Sequence, residues 1–263
     1  MPGRGLEVAV AAARAAAEVL SDASRGDLEI AYKDTRANLI TAADRRSQEA
    51  IAGVILDAFP DHAIVGEEGS TGDPSAEHVW YVDPLDGTTN YTHGLPFFCV
   101  SIALRTSGET VAGVVYDPSQ EEMFAATRHG GATRNGARLC VSDVARLDRA
   151  LIVAQAQTDD PAEIRAFADL LERLLNVAGG VRSLGSPALT LCAIAAGRLD
   201  AYCEHAMDLW DLAAGQLILE EAGGALTRFD GLPHRTAERA DIVASNGRIH
   251  TELLTALKGD VGP

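Results

Sequence analysis

One short stretch, residues 79–91, constrains this chain more than any other: Val-Trp-Tyr-Val-Asp-Pro-Leu-Asp-Gly-Thr-Thr-Asn-Tyr. Its first four residues are β-branched or aromatic, and such a run predicts a buried strand. Pro84 has no N–H to donate to a ladder, so we expect the strand to stop at Asp83. The stretch therefore predicts a rigid strand with a carboxylate at its exit.

The residues after this strand combine two kinds of ligand-binding group. Asp86 and Gly87 predict a tight turn, and we expect Thr88 or Thr89 to cap a short helix. The carboxylates of Asp83 and Asp86 are hard oxygen ligands suited to Mg²⁺, and free N–H groups at a helix start can hold phosphate. A lone Asp-x-x-Asp-Gly is usually a solvated turn, but its flanking residues here favour a site for phosphoryl-ester hydrolysis.

The charge of the chain limits its partners. Its 263 residues carry a formal net charge of −16, with a hydrophobic fraction of 47%, which indicates a folded protein with a sizeable core. So acidic a chain is a poor general nucleic-acid binder, because phosphate contacts need Lys and Arg. The same field repels phosphorylated substrates, so an enzyme for them would need cations in its site.

The cysteines show neither a zinc pattern nor a pairing pattern. Cys99, Cys140, Cys192 and Cys203 are scattered along the chain, which predicts reduced thiols and a cytoplasmic protein. We expect no signal peptide and no membrane span, because charged residues interrupt the Ala-rich start.

The pattern of elements predicts a mixed α+β and α/β fold in two halves. Residues 1–143 read as helices followed by a mainly antiparallel sheet, and residues 144–263 alternate strand and helix. We expect Leu139–Ser142 to be the strand that closes the first sheet. We expect the helix after Asp160 to bury a stripe of apolar side chains, namely Ile164, Phe167, Leu171, Leu174 and Leu175.

Two further acids are candidates for the same site. Glu67 leaves a short predicted strand at a Gly-flanked corner, and Asp211 enters the first turn of a predicted helix, where an anion is favoured. Taken alone, Glu67 is equally typical of an exposed loop and Asp211 of a helix start.

Three blocks of sequence together resemble the inositol monophosphatase family. They are Gly66-Glu67-Glu68, then 83–91, then Trp210-Asp211-Leu212-Ala213-Ala214-Gly215 closing on residues 220–224. They follow the family's order and span most of the chain, and Ala244-Ser245-Asn246 resembles the family's last strand. The resemblance implies a layered αβαβα sandwich and a Mg²⁺-dependent phosphomonoesterase.

The resemblance also implies roles for individual residues. One Mg²⁺ is expected on Glu67, Asp83 and the Leu85 carbonyl, a second on Asp83, Asp86 and Asp211, and a third, weaker ion near Glu67. Catalysis is assigned to Thr88, Asp44 and Glu67, with Thr88 and Asp44 orienting the attacking water. Substrate contacts are expected from Gly87, Thr88, Gly185, Ser186 and Glu204. Lys33 corresponds to a lysine beside the metal loop, and also reads as a solvated loop lysine.

The substrate and the partners remain open at this stage. A small phosphorylated polyol, first of all inositol 1-phosphate, is favoured because the carboxylate of Glu204 accepts hydrogen bonds from hydroxyls. Glu204 would also attract an amine, so histidinol phosphate stays open, as does fructose 1,6-bisphosphate. Nucleotide 3′-phosphatases tend to carry Lys at the position of Thr89, so Thr89 favours a sugar-alcohol or sugar phosphate. The family usually forms dimers, so we expect a homodimer without nucleic acid or membrane as a primary partner.

Two alternatives involve a different chemistry or a different kind of function. Haloacid-dehalogenase-type phosphatases end a strand in Asp-x-Asp-Gly-Thr, one residue shorter than the motif at 83–88, so that chemistry is disfavoured. A regulatory protein that keeps the fold is the other alternative, because some relatives of the family act with RNA-polymerase or ribosome-assembly factors.

Overall fold

The structure, a computed structural model, describes residues 2–24, 30–32, 39–234 and 239–258. Within these ranges the helices are α1 Pro2–Ala23, α2 Ala42–Ala58, α3 Thr88–Thr92, α4 Pro161–Val177, α5 Pro187–Ala195, α6 Leu209–Glu221 and α7 His250–Leu257, with a 3₁₀ turn at Leu147–Arg149. None of the helices in these ranges combines the length and the apolar character that crossing a membrane requires. Lys33 lies outside the described residues.

The first large sheet is eight-stranded and mainly antiparallel. Its strands are β3 Ala63–Gly66, β4 Gly69–Thr71, β5 His78–Asp86, β6 Cys99–Thr106, β7 Glu109–Asp117, β8 Glu122–Thr127, β9 Gly131–Arg134 and β10 Ala137–Arg138. They lie in the order β10-β9-β8-β7-β6-β5-β3-β4. Only the β3–β5 pair is parallel among them. Two short strands before them, β1 Ala31–Tyr32 and β2 Leu39–Ile40, form a separate pair.

The second sheet is five-stranded and mixed. Its strands are β11 Leu151–Ala154, β12 Gly180–Arg182, β13 Ala201–Met207, β14 Ala225–Arg228 and β15 Ala240–Ser245, in the order β12-β11-β13-β15-β14. The pairs of β11 are parallel, and those of β15 are antiparallel. The strands of the first sheet lie before residue 143 and those of the second lie after it. The division of the chain into halves 1–143 and 144–263 remains a proposal.

Alternating side chains on both sheets build a stack of helices and sheets. Trp80 and Val82 face a core with α1 and α2, whereas Tyr81 faces the core that α5 and α6 form between the sheets. On the second sheet Tyr202 points into that middle core, and Cys203 points into the core with α4 and α7. Because successive strand residues point to opposite faces, each sheet is covered on both sides. The predicted αβαβα sandwich is confirmed.

Small residues let the first two helices pack closely. Ala9, Ala12, Ala13 and Ala16 have a helical spacing and are fully buried against α2 and the first sheet. Alanine loses no side-chain rotamer freedom in a helix. The larger apolar side chains of the core supply about 1.5–3 kcal/mol each on full burial.

The prediction that the central strand stops at Pro84 is wrong. β5 runs on to Asp86, and its pairing with β6 shifts between Asp83, opposite Ser101, and Asp86, opposite Cys99. One extra residue on β5 is the signature of a bulge, the place in a sheet where proline is tolerated. The bulge matters for the site, because it turns both aspartates out of the regular strand alternation.

Of two other predictions of local structure, one is wrong and one is wrong in part. Leu139–Ser142 is not a strand; the sheet ends at β10, and Leu139 adds only a backbone bond to Ala132. On α4 the buried residues are Leu170 and Leu174, while Ile164 is 44% and Leu175 62% exposed. Leu174 is therefore buried as predicted, and Phe167 packs against the same core. Ile164 and Leu175 are not buried, because the apolar spacing does not show which residues face α7.

Candidate active site

A cavity of about 550 Å³ lies where β5, the start of α6 and the loop after β11 meet. The predicted site residues in its lining are Glu67, Asp83, Leu85, Asp86, Gly87, Thr88, Glu204 and Asp211. They come from positions up to 144 residues apart in the sequence, and the fold brings them to one place. Asp44, Gly185 and Ser186 are not in the lining, and they lie behind it.

The bulge in β5 orients the first acid. Asp83 is buried, and one of its carboxylate oxygens accepts the Leu85 N–H at 2.9 Å. Glu67 leaves β3 next to it, with its own N–H donated to the Val82 carbonyl at 3.1 Å. The parallel pairing of β3 with β5 therefore places these two carboxylates at the same edge of the sheet.

Asp86 is held from behind by three donors. Its Oδ2 accepts from Ser186 Oγ at 2.6 Å, from the Ala188 N–H at 2.8 Å and from Cys99 Sγ at 3.5 Å. The side chain of Ser186 is completely buried. The resemblance implied a substrate contact there, but the structure uses this hydroxyl to orient Asp86, so we correct that assignment for the side chain.

Thr88 connects the cavity to Asp44. Its Oγ1 lies 3.2 Å from Asp44 Oδ1 and 3.0 Å from the Leu85 carbonyl. Asp44 is buried in the first turn of α2, where Oδ2 accepts both the N–H and the hydroxyl of Thr41 in a capping box. Because that capping box fixes the Asp44 carboxylate, the Thr88 hydroxyl has a defined acceptor on the side away from the cavity.

The short helix α3 begins differently from the prediction. Its N-cap is Gly87, at φ 95°, and no side chain caps it, so the prediction of a threonine cap is wrong. A Cβ at Gly87 would lie 3.0 Å from the Phe97 carbonyl oxygen and 3.2 Å from that of Gly185. Glycine is required by both the conformation and the contact, and it leaves the N–H groups at the start of α3 beside the cavity.

Asp211 reaches the same cavity from helix α6, which lies between the two sheets. It is the third residue of α6, and its Oδ2 accepts the N–H of the N-cap Asp208 at 3.3 Å. The helix N-terminus favours its negative charge. Sequence position alone predicted this first-turn placement, but only the packing of α6 against the first sheet brings Asp211 to Asp83.

The electrostatics of these acids are unfavourable in the protein alone. Burial raises the pKa of Asp83 well above its ordinary value, and the Glu67 carboxylate raises it further. The pKa of Asp211 is raised by the same two causes. Burial raises the pKa of Asp86 to about 6, although its bond from Ser186 acts in the opposite direction. Like charges crowded in a buried site favour a bound cation.

Comparison with known proteins identifies the family of this chain. The model of the inositol monophosphatase family matches residues 3–261. The chain belongs to the inositol monophosphatase family. A Synechocystis inositol-1-monophosphatase is 39% identical over 96% of this chain and 88% of its own length. A Pseudomonas aeruginosa protein named Nus factor SuhB is 37% identical over 98% and 97%.

A solved structure supports the same conclusion. The extragenic suppressor protein suhB from Bartonella henselae is similar with a TM-score of 0.92 and 34% identity, covering 98% of this chain and 100% of that one. Membership in the inositol monophosphatase family supports a phosphatase, and the family is generally metal-dependent. Some of these relatives are named inositol-1-monophosphatase and others SuhB, so their names do not specify one substrate.

The ligand atoms in this member of the inositol monophosphatase family fit a hard divalent cation. Its acids and the Leu85 carbonyl offer only oxygen, which Mg²⁺ prefers. Among the described residues, no three His, Cys, Asp or Glu side chains already stand in a coordination cluster. An ion held by these oxygens would offset the repulsion that raises the pKa values of Asp83 and Asp211.

Several residues of the cavity were not predicted. Trp210, His205 and Arg239 line it. Gln155 and Tyr202 stand behind Glu204, and both are buried. A Gln directly after an apolar strand was the available signal for Gln155, since polar residues at strand ends often serve sites.

Proposed function

We propose that this protein hydrolyses the phosphate monoester of a small polyol, first of all inositol 1-phosphate, with Mg²⁺. The observation that carries the proposal is that Glu204, only 5% exposed, lines the same cavity as Asp83, Asp86 and Asp211. A buried carboxylate beside the phosphate position accepts hydrogen bonds from the hydroxyls of a polyol.

The residues that would hold the metal are Glu67, Asp83, Asp86, Asp211 and the Leu85 carbonyl, for two to three ions. When bound, Mg²⁺ supplies the positive charge that the phosphate and the attacking water need. This division of labour agrees with the cavity itself, in which acids greatly outnumber the single arginine, Arg239, among the described lining residues.

The protein's own groups supply orientation and proton handling. The Thr88 hydroxyl donates to Asp44 Oδ1, so its oxygen lone pairs are available to accept a hydrogen bond from the attacking water. The N–H groups of Gly87 and Thr88, at the start of α3, would bind phosphate oxygens. Glu204 would orient the alcohol from the opposite wall. No covalent intermediate on the enzyme is required.

The test is phosphate release from a small panel of esters, with Mg²⁺ and with a chelator. The panel holds inositol 1-phosphate, fructose 1,6-bisphosphate, histidinol phosphate, a nicotinamide dinucleotide phosphate and a 3′-phosphonucleotide. Fastest Mg²⁺-dependent release from inositol 1-phosphate supports the proposal. A different winner overturns the substrate and leaves the metal chemistry standing, and no release from any ester overturns the enzymatic proposal.

A second candidate function rests on the names of relatives. Two bacterial proteins named Nus factor SuhB are 37% and 39% identical to this chain, so a role as a Nus factor is proposed beside hydrolysis. Complementation of a strain that lacks its own SuhB separates the two. Rescue by both the wild type and Asp83→Asn supports a role without catalysis, whereas rescue by the wild type alone ties the role to the metal site.

A further inference from the structure

Gln155 links two walls of the candidate active site. It follows β11 directly, and the parallel register of β11 with β13 brings it beside Glu204. Its Oε1 accepts the Gly185 N–H at 2.8 Å, and its Nε2 lies 3.5 Å from the Tyr202 hydroxyl. Gln155 also hydrogen-bonds the Glu204 carboxylate, which means that Nε2 is the donor there.

Glu204 receives a second hydrogen bond from the same side. Tyr202, two residues earlier on β13 and therefore on the same face, donates its hydroxyl to Glu204 Oε2. Tyr202 is completely buried, and Gln155 is 6% exposed. Neither is in the lining of the cavity, so both act on Glu204 from behind rather than on a bound molecule.

The Gly185 end of this network reaches the acids. Gly185 precedes Ser186, whose hydroxyl donates to Asp86 Oδ2 at 2.6 Å. The Leu184 carbonyl accepts Asn90 Nδ2 at 2.7 Å, so the loop is tied on both sides of Gly185. The Gly185 carbonyl in turn lies against the position of Gly87. Gln155 therefore bridges the loop behind the metal acids and the wall that carries Glu204.

The chemistry of the amide explains why glutamine suits this position. The Gly185 N–H needs an acceptor, and the Glu204 carboxylate needs a donor. An amide offers both groups on one rigid plane. A glutamate in its place would accept from Gly185 but would set a second carboxylate against Glu204, and an apolar residue would satisfy neither.

We propose that Gln155 is a positioning residue that sets substrate preference, an inference that rests on the proposed function. Gln155 does so by holding Glu204 at a fixed distance from the Gly185 loop. It touches no reacting atom. Its loss lets Glu204 turn away, so an ester whose alcohol carries hydroxyls loses its orientation. An ester whose alcohol has no hydroxyls does not use Glu204 and is affected much less.

The experiment compares two substrates in the intact Mg²⁺-loaded protein, inositol 1-phosphate and 4-nitrophenyl phosphate. For Gln155→Leu and Gln155→Glu we expect kcat/KM on inositol 1-phosphate to fall roughly 10- to 100-fold relative to 4-nitrophenyl phosphate, mostly through KM. Tyr202→Phe removes the other donor and should lower the same ratio. Because Tyr202→Phe keeps the ring in the core, it tests the positioning of Glu204 even if the Gln155 variants fold poorly.

Gln216→Leu is the matched control. Gln216 also makes hydrogen bonds at both ends of its amide, but it lies outside this cavity. Its Nε2 donates to Glu220 Oε1 and to the His234 carbonyl, and its Oε1 lies 3.4 Å from His234 Nδ1. This variant should leave the substrate ratio unchanged. Equal losses on both substrates in the Gln155 and Tyr202 variants, or an unchanged ratio in all of them, would overturn the positioning role. Absence of phosphate release in the wild type would instead overturn the proposed function.

Discussion

The hydroxyl of Ser186 donates a 2.6 Å hydrogen bond to Asp86, joining residues that lie 100 positions apart. Ser186 is also the N-cap of α5, but its side chain does not cap that helix. The Ala188 N–H, in the first turn of α5, donates to the same carboxylate oxygen at 2.8 Å. The start of α5 is therefore a clamp on one acid of the proposed metal site.

Ser186→Ala should weaken metal binding more than substrate binding. Groups that orient a metal ligand from behind typically contribute about 10–100-fold in metal affinity. We expect the Mg²⁺ concentration for half-maximal activity to rise by about that factor, with KM for the ester little changed. Ser245→Ala, another completely buried serine, is the control, and an unchanged Mg²⁺ requirement in Ser186→Ala would contradict the clamp.

Thr88→Val should lower kcat with little change in KM. The substitution keeps the shape of the side chain but removes the hydroxyl that connects the cavity to Asp44. Groups that orient and deprotonate a nucleophile contribute about 10²–10⁴-fold. Thr92→Val is the matched control, because Thr92 is in the same helix and its hydroxyl bonds only local groups. A wild-type kcat in Thr88→Val would remove Thr88 from the mechanism.

Replacing either central acid should separate activity from stability. We expect Asp83→Asn and Asp211→Asn each to abolish Mg²⁺-dependent phosphate release. The same variants should unfold at a higher temperature than the wild type in the presence of a chelator, because burial and neighbouring charge disfavour both carboxylates. Thermal melts with EDTA and with Mg²⁺ test both statements. Full activity in either variant would refute the assigned ligands.

The metal-free protein should gain stability from Asp86 as the pH falls. Its pKa is raised from 3.8 to about 6 in the folded state, so the folded protein binds the proton more tightly than the unfolded chain. The penalty for its charge is present above about pH 6 and is relieved as the pH falls toward 3.8. Denaturant unfolding in EDTA should show a larger gain in the wild type than in Asp86→Asn, in which Asp83 and Asp211 still titrate. With saturating Mg²⁺ the trend should reverse, since the ion needs deprotonated ligands.

Gly87→Ala should cost both stability and activity. The left-handed φ of 95° costs about 1–3 kcal/mol for a residue with a Cβ, and the added Cβ would press on the Phe97 carbonyl. Gly94→Ala is the matched control, with φ 71° but no atom within 4 Å of the added Cβ. It should show the backbone cost without the loss of phosphate release. Equal effects in the two variants would show that contact at Gly87 does not matter.

The protein should lose stability in mild acid when His62 is protonated. The Trp80 indole N–H donates to His62 Nδ1 at 3.0 Å, and His62 stacks on His78 at 4.6 Å. Burial, and then the neighbouring His78, lower the pKa of His62 below 6.5. The neutral ring therefore contributes stability that is complete above about pH 6.5 and is lost as the pH falls below it. His62→Gln keeps an acceptor for Trp80 without titrating.

The difference between wild type and His62→Gln isolates this effect from the carboxylates. Denaturant unfolding at pH 7.5 and pH 5.5 should show the wild type losing stability relative to the variant. His93→Gln, on an exposed histidine, should follow the wild type. A constant difference between wild type and His62→Gln across this range would rule out the titration of His62.

The sequence alone determined the family, the layered fold and the set of candidate acids. The candidate acids follow from local patterns, which are an apolar run ending in Asp83 and a helix start at Asp211. The family and the layered fold follow from the resemblance of the three sequence blocks. The family and the αβαβα architecture are confirmed, while the roles of the acids remain predictions. Local patterns could not show that Pro84 sits in a bulge, since a bulge is defined by the partner strand.

Only the tertiary structure decided how those residues are held. Ser186 turned out to clamp Asp86, and Gln155 to bridge Gly185 and Glu204, because these bonds join elements distant in the chain. The buried face of α4 was misjudged in part for a similar reason, since it depends on α7. Sequence patterns specify which groups are available and which faces are apolar. Contacts between distant elements decide which groups meet, and here those contacts orient the acids around the cavity.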